Sequence, residues 1–121
     1  MEIDTRAFDQ YRELIGEGWQ AFVIDLIDSY LQDVPGMLKA LRASLDQQDE
    51  ETFIRTAHTL KSNSRIFGAE KLADMAADLE AGGLNGSTAK AGEAIPLVEA
   101  AFASVTKALL AFREQILSGA A

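Results

Sequence analysis

Residues 98–116, VEAAFASVTKALLAFREQI, place Val98, Phe102, Val105, Leu109, Phe112 and Ile116 at alternating spacings of four and three. That spacing is the apolar seam of a helix packed in a bundle. Pro96 fits near the start of this helix, where a missing N–H costs nothing. The same period recurs upstream. Leu72, Met75, Ala76 and Leu79 mark a helix that ends at Gly82-Gly83, and residues 84–88 read as a flexible Gly/Ser/Asn connection. Another helix is expected from about Glu50, behind Asp49 as N-cap, to Phe67, with Gly68 as its stop.

Toward the N-terminus, Met37, Leu38, Leu41 and Leu45 form one apolar stripe. Trp19, Phe22, Val23, Leu26, Ile27, Tyr30 and Leu31 form a second. Asp33-Val34-Pro35 lies between them, and two readings stay open: Asp33 caps a new helix, or one helix runs on with a kink. Phe8, Tyr11, Leu14 and Ile15 suggest a short first helix ending near Gly16 and Gly18. No β alternation appears, and short connections make consecutive helices antiparallel neighbours. The expected fold is all-α: an antiparallel four-helix bundle with one or two additional N-terminal helices. One domain spans 1–121, with the core bundle at about 34–118.

Composition narrows the function. Hydrophobic residues make up 48% of the chain, too many for a disordered tail. Cysteine is absent, which removes disulfides, thiolate metal sites and cysteine nucleophiles and sits easily with a reducing cytoplasm. Met1 is followed by Glu2, Asp4 and Asp9 rather than by a secretory leader pattern, and no apolar run reads as long enough to span a bilayer. The expected setting is cytoplasmic, without membrane insertion. A net charge of -8 argues against nucleic acid as a partner. The charge is uneven, however. Residues 1–50 hold 11 acids and 4 bases, whereas Arg55, Lys61, Arg65 and Lys71 are offset only by Glu70 within 55–71. A local basic spot on an acidic chain suits an anionic ligand or an acidic partner surface.

That spot surrounds the single histidine. Phe53, Ala57, Leu60, Ser64 and Phe67 share one face by the helical period, while Glu51, Arg55, His58, Ser62 and Arg65 share the opposite one. His58 and Leu60 are about 200° apart, so burial of Leu60 turns His58 outward. Lys61 and Ser62 lie one turn from it. One histidine is too few for a di-iron bundle site, and zinc would have only carboxylates left. Neither an oxyanion hole nor a phosphate-binding glycine loop after a strand is marked. The chemistry left is nucleophilic attack by an exposed imidazole, with Lys61 to offset an incoming negative charge.

Ala-His-Thr-Leu-Lys at 57–61, Phe-Gly-Ala at 67–69 and Leu-Ala-x-x-Ala-x-x-Leu-Glu at 72–80 together resemble the histidine-containing phosphotransfer (HPt) domain of two-component phosphorelays. The resemblance covers nearly the whole chain. It implies that His58 accepts and donates a phosphoryl group through Nε2 and that Lys61 stabilises that group. It implies no cofactor on this chain and no kinase activity of its own. The partners it implies are a response-regulator receiver domain, carrying the aspartate and Mg²⁺, and an upstream hybrid histidine kinase. Ser62 stands where the family usually has glycine, and Arg65 where a small residue is common. Ser62, Arg65 and Arg55 are candidates for supporting the phosphoryl group or the partner. Ile66 and Ala69, with Ile54 less exposed, are candidate docking residues. A monomer is expected. A helical adaptor that docks receivers without transfer is the alternative reading. A hydrolytic or acid–base enzyme is a third, and it lacks a concave pocket at His58.

Overall fold

The computed structural model describes residues 2–84 and 88–121. A 3₁₀ turn, Thr5–Phe8, leads into helix α1, Asp9–Ile15. Four longer helices follow: α2, Trp19–Asp46; α3, Glu50–Ile66; α4, Glu70–Gly82; and α5, Thr88–Ser118. No strand occurs among the described residues. The expected connection at 84–88 lies mostly outside them, at 85–87.

The four long helices form a ring in which α3 packs on α2 and α4, and α5 packs on α2 and α4. Polar links between helices show the directions. Asp28 and Arg42 of α2 pair with Arg113 and Glu99 of α5, so these helices run antiparallel. The seam on α5 is buried at every position from Val98 to Ile116 expected from the spacing, and Ala91 and Ile95 extend it. Phe8 from the N-terminal turn stacks on Phe112 with ring centroids 5.0 Å apart, which closes one end of the core. Leu14, expected on an apolar face of the first helix, is 80% exposed instead.

Both prolines lie inside helices. α2 is a single helix through Pro35, so the stripes at 19–31 and 37–45 belong to one rod. α5 begins at Thr88, and Pro96 sits two turns into it rather than near its start. A proline withholds one backbone donor, yet Ile27, Val34 and Leu38 in α2, and Ile95 and Val98 in α5, stay fully or largely buried on either side. Side-chain burial along these long faces outweighs one missing hydrogen bond. α5 also corrects the expectation about membrane-length segments. An 18-residue window within Thr88–Ser118 has a mean hydropathy of 1.6, enough by length and composition to cross a bilayer, and a third of it is buried in the bundle. The apolar seam accounts for part of that value. Alanines at 100, 101, 103, 108 and 111 supply much of the rest.

α3 and α4 meet at the corner that positions the site. Asp49 caps α3, its carboxylate accepting from Thr52 N–H at 3.2 Å. At the other end Ser64 C=O accepts from Phe67 and Ala69 N–H. Gly68 then takes φ +66°, and its carbonyl accepts from Asp4 N–H at 3.0 Å. A Cβ here would lie 2.4 Å from the Asp4 carbonyl oxygen, so both the φ angle and the close approach require glycine. Phe67 and Ala69, on either side, are buried.

Candidate functional site

The register of α3 separates two faces as expected. Phe53, Ala57, Leu60 and Ser64 are buried, and Phe67 beyond the helix end joins them. His58 is turned outward, its side chain 56% exposed. On the inner face Ser64 Oγ hydrogen-bonds Tyr30 Oη of α2 at 2.8 Å. Burial pushes the Tyr30 phenol up to about 12, with the Ser64 hydrogen bond offsetting part of that rise.

On the outer face the site spans two helices. Glu80 of α4 lies opposite His58 and Lys61 of α3. Its Oε2 is 2.7 Å from His58 Nδ1, and its Oε1 accepts from Lys61 Nζ at 2.6 Å. The Lys61 ammonium holds the Glu80 carboxyl below the usual carboxylate range, with a smaller contribution from His58, against partial desolvation. Glu80 is therefore an anion and can only accept. The proton of a neutral His58 ring then sits on Nδ1, and the lone pair is on Nε2. Nε2 has no protein hydrogen bond among the described residues. The arrangement suits attack by Nε2 on an electrophile arriving from solvent.

The remaining expected residues do not converge on His58. Arg55 faces Glu51 one turn back at 3.8 Å. Arg65 reaches toward Glu70 and Asp74 of α4, each at 4.0 Å. Both arginines are exposed and loosely paired, so they form a basic rim rather than a phosphate cradle. Ser62 is exposed beside the ring, Ile66 is 39% exposed, and Ile54 is half-buried. Ala69 corrects the expectation of a docking residue: it is fully buried behind the corner and has no surface to offer. Lys61 is present as expected, but Glu80 engages it, where the resemblance implied a lysine directed at the phosphoryl group. Sequence reasoning missed Glu80 as a site residue. The signal was its place next to the buried Leu79 in the 72–80 motif, on the outer side of α4.

A model of the Hpt domain family matches residues 25–114, and the chain belongs to that family. Among solved structures it is similar to histidine-containing phosphotransfer protein B (HptB) from Pseudomonas aeruginosa PAO1. That match has a TM-score of 0.80 and 26% sequence identity, and it covers 94% of this chain and 96% of that one. No match is found among curated proteins.

Proposed function

We propose that this protein is a phosphorelay intermediate that accepts a phosphoryl group on Nε2 of His58 and passes it to the aspartate of a receiver domain. The observation that carries the reading is the Glu80–Nδ1 hydrogen bond, which leaves the Nε2 lone pair open to solvent on an exposed helix face. Family membership supports it, because Hpt domains are phosphocarriers of two-component signalling that work with kinases and receiver domains. His58 lines neither of the two main cavities among the described residues and stands exposed on its helix, which fits a carrier whose reaction is completed by a docked partner.

In the capture step Nε2 attacks phosphorus, and the phosphorus–oxygen bond to the donor aspartate breaks, its electrons returning to the carboxylate. Such a transfer needs mostly positioning and charge compensation. Glu80 and Lys61 position the ring, and Lys61 lies within a helical turn of the incoming charge. Among the described residues no three His, Asp or Glu side chains gather as metal ligands. We assign the Mg²⁺ to the receiver and the first phosphorylation to an upstream hybrid histidine kinase. Arg55, Arg65 and Ile66 would form the docking rim, with Ser62 leaving room beside the ring. The protein is proposed to act as a cytoplasmic monomer.

Incubation with a phosphorylated receiver domain tests this. Wild type should acquire acid-labile label, and His58→Gln should acquire none while keeping the same helicity. Label retained on His58→Gln, or none on wild type with several receivers, would overturn the transfer mechanism.

A further inference from the structure

α5 carries a second seam beside the buried one, on its solvent side. Ala100, Ala103, Lys107, Leu110, Glu114 and Leu117 follow one another at spacings of three and four, and every one is exposed. Leu110 keeps 48% of its surface in water and Leu117 keeps 57%. The bundle buries only a third of the apolar window in this helix. Three-and-four spacing along a straight stripe is what a second helix needs in order to pack alongside. Closing the bundle takes one such seam, and α5 has two.

The charges on the outer stripe select what covers it. Glu99 and Arg113, on the border with α2, are held by Arg42 and Asp28. Lys107 and Glu114 are in no ion pair among the described residues. They stand two turns apart on one stripe, roughly 10 Å along the helix, too far to pair with each other. A positive and a negative point on one stripe match a second copy of the same stripe run the other way. Laid antiparallel about a point midway between Ala108 and Leu109, two α5 helices bring Lys107 of each within about one turn of Glu114 of the other. Leu117 of each then meets Ala100 of the other, and Glu114 lies beside Ala103, so long side chains face short ones. Parallel alignment would set Lys107 on Lys107 and Glu114 on Glu114. An anionic lipid surface would call for a basic border, and Lys107 is the one base on the stripe.

We propose that two copies of this chain associate reversibly by antiparallel pairing of the outer faces of α5. The contact covers on the order of 1,000 Å² in total, the low end for a specific interface, so monomer and dimer exchange. α5 stands across the ring from α3, both packing on α2 and α4. The His58 sites of the two copies therefore face away from the contact, and both stay open. Transfer remains the act of one copy. The pairing joins two carriers into a bivalent one and does not depend on the chemistry at His58.

Sedimentation equilibrium of the full chain between about 5 and 500 µM tests this. Wild type should move from the monomer mass toward twice that value. Leu110→Glu should weaken association by about tenfold or more, with wild-type helicity and melting temperature. Lys107→Glu and Glu114→Lys should each weaken it by about tenfold, and the double exchange Lys107→Glu/Glu114→Lys should restore it. Glu114→Lys is the sharpest arm. It lowers the net negative charge, which would favour association if overall repulsion alone were in control. Wild type monomeric over the whole range, unchanged association in Leu110→Glu, or no restoration by the double exchange would overturn the inference. So would binding of a monomeric wild type, and not of Leu110→Glu, to phosphatidylcholine–phosphatidylglycerol vesicles, which would give the face to lipid. Labelling of His58 by a phosphorylated receiver is read separately, so either proposal can fail without the other.

Discussion

α3 carries a polar cluster on each of two opposite faces, and the two are built differently. On the inner face Tyr30 and Ser64 form a closed pair, both buried and each satisfied by the other. On the outer face the His58, Glu80 and Lys61 cluster stays open, because one ring nitrogen is left to solvent. A buried polar group without a partner costs about 1–3 kcal/mol, so the inner pair has to be complete. An exposed nucleophile has water as a substitute partner and can be left incomplete at little cost. The same helix thus closes its inner polar atoms on a neighbour and leaves one of its outer ones open to solvent, as the proposed transfer requires.

Substitutions on the two faces should separate stability from function. The largest effect on function belongs to the outer face, where His58→Gln should abolish labelling while the melting temperature stays within about a degree or two, as for an exposed site. The largest effect on stability belongs to the inner face. Leu60→Ala removes a fully buried side chain and should lower unfolding free energy by about 2–5 kcal/mol in urea titrations. The folded fraction should still accept phosphoryl groups at the wild-type rate. A helix that lost labelling in proportion to Leu60 packing, at a temperature where it remained folded, would break the separation.

Tyr30→Phe should cost less, about 1–2 kcal/mol, because it strands the Ser64 hydroxyl in the core. Adding Ser64→Ala should recover part of that loss in a double-mutant cycle, and no recovery would mean the pair does not act as one. The smallest effect is expected from Ser62→Gly. Labelling kinetics should stay within about twofold, with a stability loss of about 0.5–1 kcal/mol from glycine inside a helix. A large kinetic loss there would give the Ser62 hydroxyl a role in the site.

The sorting of α3 into two faces was legible because helical periodicity alone decides it. Phe53, Ala57, Leu60 and Ser64 point inward for the same geometric reason that His58 points out. The α5 seam was legible for that reason too. Local rules failed where tertiary packing overrides them. Pro96 marked a helix start and Pro35 left start and continuation both open; at each, the buried faces around the proline carry the helix through. Ala69 is a docking candidate by its place in the Phe-Gly-Ala motif, but the corner at Gly68 turns it inward. Glu80 escaped because its partner His58 lies 22 residues away. Only the antiparallel pairing of α3 and α4 brings the two together, and no short-range pattern encodes that distance.

The Gly68 corner acts on the site as a mechanical pivot. Glu80 stands roughly 15 Å along α4 from its first residue, at ~1.5 Å rise per residue. Over such a lever arm, a tilt of about 4° at the corner moves the carboxylate by ~1 Å, enough to part it from the imidazole. Asp4 N–H meets the Gly68 carbonyl at 3.0 Å and so braces that corner in addition to the packing of α3 on α4. Asp4, distant in sequence from His58, thus helps to hold the angle that keeps Glu80 against the ring.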